Sequence, residues 1–133
     1  MNKQELKNYL RMNVESTRLK EKINELRNKV EKPKSALYFE TSKGGEHKDF
    51  TDYIDKIIEL SEIYAERQKA IIYEQIRIET AIAKLDDPVE RAVLGYYYID
   101  GFTWEQVCVK IGNKWRNTHY IHANALRNIS EVN

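Results

Sequence analysis

The sequence predicts an all-α protein: a long antiparallel helical hairpin, coiled-coil-like, followed by a compact head of short helices. Three observations predict it. The chain is 32% charged yet holds only five Gly and two Pro in 133 residues, a composition of long helices rather than of a β-sandwich. Two long stretches repeat apolar residues at three- and four-residue spacing. The last third is cut into short helical segments by Pro88, Gly101 and Gly112. The implied organisation is residues 1–85 as the hairpin, with a connector at 33–50, and residues 86–133 as the head.

The first helix is predicted over residues 2–32. Its apolar series is Tyr9, Met12, Leu19, Ile23, Leu26 and Val30, with Ser16 as the one polar gap, a heptad seam. Pro33 ends it, because proline lacks the amide and clashes with the preceding turn. "KPKSALYFETSKGGEHKDF" has no helical period. Gly44-Gly45 marks a turn there, and Ala36 to Phe39 reads as a short extended or packed segment. The second helix is predicted from about Thr51 to Leu85. Every member of the series Phe50, Ile57, Tyr64, Ile71, Ile78 and Leu85 is apolar, while the companion series Tyr53, Leu60, Arg67, Glu74 and Ala81 turns polar in the middle. Such a seam must be buried against another helix.

Charge points to the partner. Residues 1–48 carry 12 basic and 7 acidic side chains, and residues 49–87 carry 5 and 10. Opposite signs favour the two helices lying side by side. Self-association through the second seam competes, because the second helix is the longer. A net charge of +1 argues against a protein that coats nucleic acid non-specifically.

In the head, Asp86 or Asp87 is expected to cap a helix over 88–99 with Pro88 in its first turn. Gly101 ends it. Thr103 caps a second helix over 104–111, Gly112 turns the chain, and a last helix runs from about Lys114 to Ser130. Three short helices with a Gly-containing turn before the last form the layout of a helix-turn-helix.

The single Cys, Cys108, excludes an intrachain disulfide and a multi-cysteine metal site, and suits a reducing compartment. The N-terminus has no apolar signal core, and no apolar run approaches the ~18 residues of a membrane span. The expectation is a soluble, cytoplasmic protein. "TSKGGEHKD" lacks the order of a phosphate-binding loop; its neighbouring Lys32, Lys34, Lys43 and Lys48 could touch a DNA backbone. No cofactor motif and no catalytic constellation stands out, so an enzyme is not expected. The carboxylates of residues 49–87 read as a solvated face. His119 and His122 are three apart, but a metal would need further ligands, and none is expected. His122 reads as a helix-surface residue. Trp104 reads as head core. Tyr96, Tyr97 and Tyr98 follow one another at about 100° around the helix and cannot all be buried; Tyr96 or Tyr97 is expected to pack on the long helix.

"LDDPVERAVLGYYYIDGFTWEQVCVKIGNKWRNTHYIHANAL" resembles sigma-factor region four. The resemblance is carried by Pro88, Arg91, Val93, Leu94, Tyr98, Ile99, Gly101, Val107, Ile111, Gly112, Ile121, Ala125 and Leu126, over the last third of the chain. The whole architecture looks like the small region-four-like proteins of Gram-positive phages and mobile elements, akin to the ArpU and RinA types of late transcriptional regulator. The resemblance implies a sequence-specific regulator that docks a helix-turn-helix in the major groove. A complete initiation factor, with its core-binding regions, is not expected.

The DNA-binding residues expected on this basis are Lys114, Trp115, Arg116, Asn117, His119 and Tyr120. Arg116 could pair with guanine and Asn117 with adenine. Ile121, Ala125 and Leu126 fall on the buried face, and Tyr98 matches a core position. Cys108 stands where the family has a small residue at the helix crossing. Lys114 replaces the usual Ser or Thr cap, Trp115 the usual basic reader, and Thr118 the usual apolar β-branched residue. Residues 110–129 carry Lys110, Lys114, Arg116 and Arg127 and no acid, which supports the DNA reading; a solvated amphipathic helix is the plainer one. The partners implied are double-stranded DNA, RNA polymerase or another host protein, and a second copy of the chain, with no membrane. The alternatives are a protein-interaction module working through the long helices, and a small packaging-type DNA-recognition subunit.

Overall fold

The computed structural model describes residues 1–31 and 47–132 and is all-helical, with no strand among them. The elements are α1 (Lys3–Glu31), α2 (His47–Ala83), α3 (Pro88–Leu94), a π-helical turn (Gly95–Ile99), α4 (Trp104–Ile111) and α5 (Trp115–Ile129). No helix is long and apolar enough to cross a membrane among these residues. Of the expected connector, 33–46 lies outside the described residues, as do Pro33, Ala36 to Phe39, Gly44-Gly45 and the side chain of Lys48. Residues 47–50 belong to α2, which starts four residues before Thr51 and stops two before Leu85.

The helix ends follow local chemistry. Asn2 and Glu5 cap α1 reciprocally: the Asn2 side chain accepts from the Glu5 amide at 2.9 Å, and the Glu5 carboxylate accepts from the Asn2 amide at 3.0 Å. That bond from Asn2, helped by Arg77, holds the Glu5 carboxyl below its ordinary value. Asp87 caps α3, its carboxylate accepting from Val89 N at 2.8 Å. Thr103 and Gln106 form a capping box on α4. Gly101 and Gly112 close their elements at φ 72° and 69°, the left-handed region that glycine enters without a Cβ penalty.

One expected helix differs. Residues 88–99 are not uniformly α-helical: from Gly95 the bonds lengthen to the π spacing, with Asp100 N donating to Gly95 O at 2.9 Å. The extra residue per turn re-aims the three tyrosines, as π-turns do where side chains must leave the α-helical register.

The chain divides into two compact units, residues 14–69 and residues 1–13 with 70–133. In the first, Ile23 and Leu26 are buried. The Ser16 hydroxyl, the apparent gap in the α1 seam, is also buried and donates to Gln68 Oε1 at 2.8 Å, so the polar interruption is matched rather than exposed. Arg67 pairs with Glu15, and Lys29 lies over the Tyr53 ring at 5.6 Å. Phe50, expected in the α2 seam, is 45% exposed in the first turns of the helix.

In the second unit, Leu6, Tyr9, Ile71, Ile78, Ile82 and Leu85 of the long helices pack with Leu94, Tyr98, Ala125 and Ile129 in one core. The three head helices therefore do not bury their apolar stripes only on each other. Arg91 fixes the approach: its guanidinium donates to Leu85 O at 2.6 Å and Asp86 O at 3.1 Å, satisfying carbonyls left open where α2 ends. Buried Glu90 accepts from Asn128 at 2.8 Å, joining α3 to α5.

Candidate nucleic-acid interface

The site is the outer face of α5. Thr118, Ala125 and Ile129 form its buried line; Arg116 and Tyr120 lie opposite it, and with Lys114, Trp115 and Asn117 at the start of the helix they are all exposed. Ile121 and Leu126, expected inside, are only half-buried. Lys114 and Arg116 hold no carboxylate partner among the described residues, and no acid occurs between residues 110 and 129. Asn117 donates to Asn113 Oδ1 at 2.6 Å, which steadies its amide across the turn. Lys110, on α4, lies over the Phe102 ring at 5.7 Å.

The start of α5 is unusual. Lys114 takes the extended cap conformation, but its side chain makes no capping bond. The first amides of α5 therefore keep the open donors and partial positive charge of a bare helix N-terminus.

Behind this face lies an aromatic stack. Trp104 packs on Tyr97 with ring centroids 4.0 Å apart and nearly parallel planes. His119 sits between the two indoles, 4.6 Å from Trp104 and 4.3 Å from Trp115. His119 is thus not the free outward contact the sequence suggests: it is half-buried, and its Nε2 is shielded with no hydrogen bond among the described residues. It props Trp115, which is 53% exposed. A cleft of about 400 Å³ opens beside Trp115, lined also by Leu10, Tyr97, Phe102 and Trp104.

His122 is corrected as well. It is no surface residue: it is half-buried, lies 4.6 Å from the Trp104 ring, and shares a 2.9 Å hydrogen bond with the Tyr98 hydroxyl. Burial, with the charges of Lys3 and His119 adding to it, lowers its pKa to about 4. Burial and Tyr97 raise the Tyr98 phenol to about 12. Both groups are neutral near pH 7. The pair was not legible in the sequence, because a three-residue His spacing says nothing of which ring from another helix will meet it. Among the described residues no group of three His, Cys, Asp or Glu side chains converges as a metal site would. Cys108 is half-buried on α4, with a free thiol.

Comparison with known families places this arrangement in context. Residues 32–131 match the model of DUF1492, described as a protein of unknown function. The chain belongs to the DUF1492 family. The DUF1492 match takes in all of α2 and the helices after it, and so includes the exposed α5 face and the stack behind it. No curated protein and no solved structure matches the chain.

Proposed function

We propose that this protein is a sequence-specific DNA-binding transcriptional regulator of phage or mobile-element type. In this reading α4 and α5 act as a region-four-like helix-turn-helix, with α5 entering the major groove. The observation that carries it is the acid-free face of α5, whose Lys114 and Arg116 have no carboxylate partner among the described residues. Cations without partners on a helix that starts next to a tight turn are what phosphate and guanine contacts need. The uncapped amides at the start of α5 add a place for a phosphate. Arg116 and Asn117 would read base edges, Lys114 and Tyr120 would hold the backbone, and Trp115 would stack on sugar or base with His119 behind it.

The test is footprinting of the full chain on the promoters of the genetic element that encodes it. Protection of a defined site supports the reading. The absence of any protected site on that DNA ends it.

A second reading, a protein-interaction module for polymerase or another large protein, draws on Trp115. A half-exposed indole beside an aromatic cleft is also what protein interfaces favour. Trp115→Ala separates the two: a loss of protein capture with DNA protection unchanged would support the second.

A further inference from the structure

We propose that the face of α2 bearing Ile72, Tyr73 and Ile76 binds the same face of a second copy of this chain, with the two helices antiparallel about a two-fold axis. Ile72, Tyr73 and Ile76 are 55%, 69% and 62% exposed. Ile72 and Ile76 are one helical turn apart, and Tyr73 flanks them. Their stripe lies about 130° around the helix from the buried line of Ile71 and Ile78, at about 100° per residue. A single exposed isoleucine is ordinary, but three large apolar side chains adjoining on two turns call for cover.

The neighbouring charges say what covers them. Lys69 and Glu79 extend the same stripe at 3-4-3 spacing, which is the spacing of a coiled-coil seam. Read along α2, the stripe is cation, isoleucine, isoleucine, anion. That order is its own complement when reversed. An antiparallel copy centred between Ile72 and Ile76 sets Ile72 against the other copy's Ile76 and Lys69 against the other copy's Glu79. The two-fold axis makes every contact twice, as a self-complementary interface must. A parallel pair would instead stack Lys69 on Lys69 and Glu79 on Glu79, which repel. Lys69 is available: its present partner is Glu66 at 3.5 Å, with both side chains 77% exposed, a contact of little strength. Glu79 holds no ion pair among the described residues. The stripe spans only about three turns of helix, so the dimer is weak, with a Kd on the order of micromolar or above.

The interface does not depend on the DNA reading, and it is tested without DNA. Sedimentation equilibrium of the full chain should show a monomer–dimer equilibrium. Ile72→Glu and Ile76→Glu should each raise the Kd by about tenfold or more, with far-UV circular dichroism unchanged and with Tm unchanged at concentrations well below the wild-type Kd, because in the monomer these side chains are already in water. Lys69→Glu should weaken the dimer, and Lys69→Glu with Glu79→Lys should restore it. A wild-type chain that stays monomeric overturns the proposal, as does a dimer indifferent to Ile76→Glu. A double variant that fails to recover overturns the antiparallel arrangement. An Ile76→Glu change that alters capture of polymerase or of DNA without altering self-association assigns the face to a different occupant and likewise overturns it.

Discussion

The Tyr98 hydroxyl and His122 Nε2 stand 2.9 Å apart, one from the π-turn and one from α5. The bond joins the buried tyrosine of the core to the helix that carries the candidate DNA face. It also sits under Trp104, whose ring contacts His119 and through it Trp115. The orientation of the outer face therefore rests on a neutral, buried polar pair.

Acid should loosen the head. His122 titrates near 6.5 when free and about 4 when folded. Between these values the unfolded chain binds more protons, so stability rises with pH there. The contribution is intact above about pH 6.5 and is lost as pH falls toward 4. The loss is on the order of 2 kcal/mol after discounting for partial solvation. Thermal unfolding followed from pH 4 to 8 measures it. His122→Gln should flatten the profile across that window; an equally steep profile in the variant would assign the slope to other groups.

Tyr98→Phe should cost about 1–2 kcal/mol, because it removes the hydroxyl and leaves His122 Nε2 buried without a partner. For a chain of this size that is a fall of roughly 3–6 °C in Tm. The ring is kept, so the core itself is undisturbed. An unchanged Tm would mean that water replaces the hydroxyl at no cost.

Thr118→Val should stabilise the protein. Thr118 is fully buried and its Oγ1 has no hydrogen-bond partner among the described residues. Valine keeps the branched shape and removes the stranded hydroxyl, for a gain of about 1 kcal/mol. Urea unfolding reads the gain as a higher midpoint at constant slope.

Gly112→Ala should cost about 1–2 kcal/mol through the backbone alone. The residue has φ 69°, while a Cβ there would meet nothing within 4 Å. A cost far above this in chemical denaturation would point to a steric clash instead.

Arg116→Ala should weaken specific DNA binding by about 1–3 kcal/mol and relax the preference at one base position. Lys114→Ala should weaken binding evenly across sequences and lower the salt slope by about 1. Footprint titrations at several salt concentrations separate the two. Equal losses of specificity in both variants would contradict the assigned roles.

The helices were legible because their ends are written in short-range chemistry. Asp87 before Pro88, Thr103 with Gln106 three residues on, and Gly112 after an apolar run each act on their own neighbours. Ile71 and Ile78 were also legible as core, since the heptad series of α2 sets them on one apolar line, while Tyr98 and Ala125 were expected inside through the resemblance to sigma-factor region four. Arg116 and Tyr120 fall opposite Thr118 by the same period; that Lys114, Trp115 and Asn117 are exposed as well was set by the packing around the start of α5. The π-turn at Gly95 was not legible, because its bonds compete with α-helical ones by a small margin that packing decides.

By itself, then, the sequence determined that the chain is helical, where most helices start and stop, and which stripe of each is apolar. These follow from residue spacing and local caps. The tertiary structure alone decided that Ser16 finds Gln68, that His122 is held neutral against Tyr98, and that His119 props Trp115 rather than reaching outward. It also decided that Ile72 and Ile76, as apolar as Ile71 and Ile78, are left uncovered within the chain. Period tells which residues share a face; only the arrival of another helix tells what that face meets, and hence which polar atoms are satisfied and which apolar ones are left uncovered.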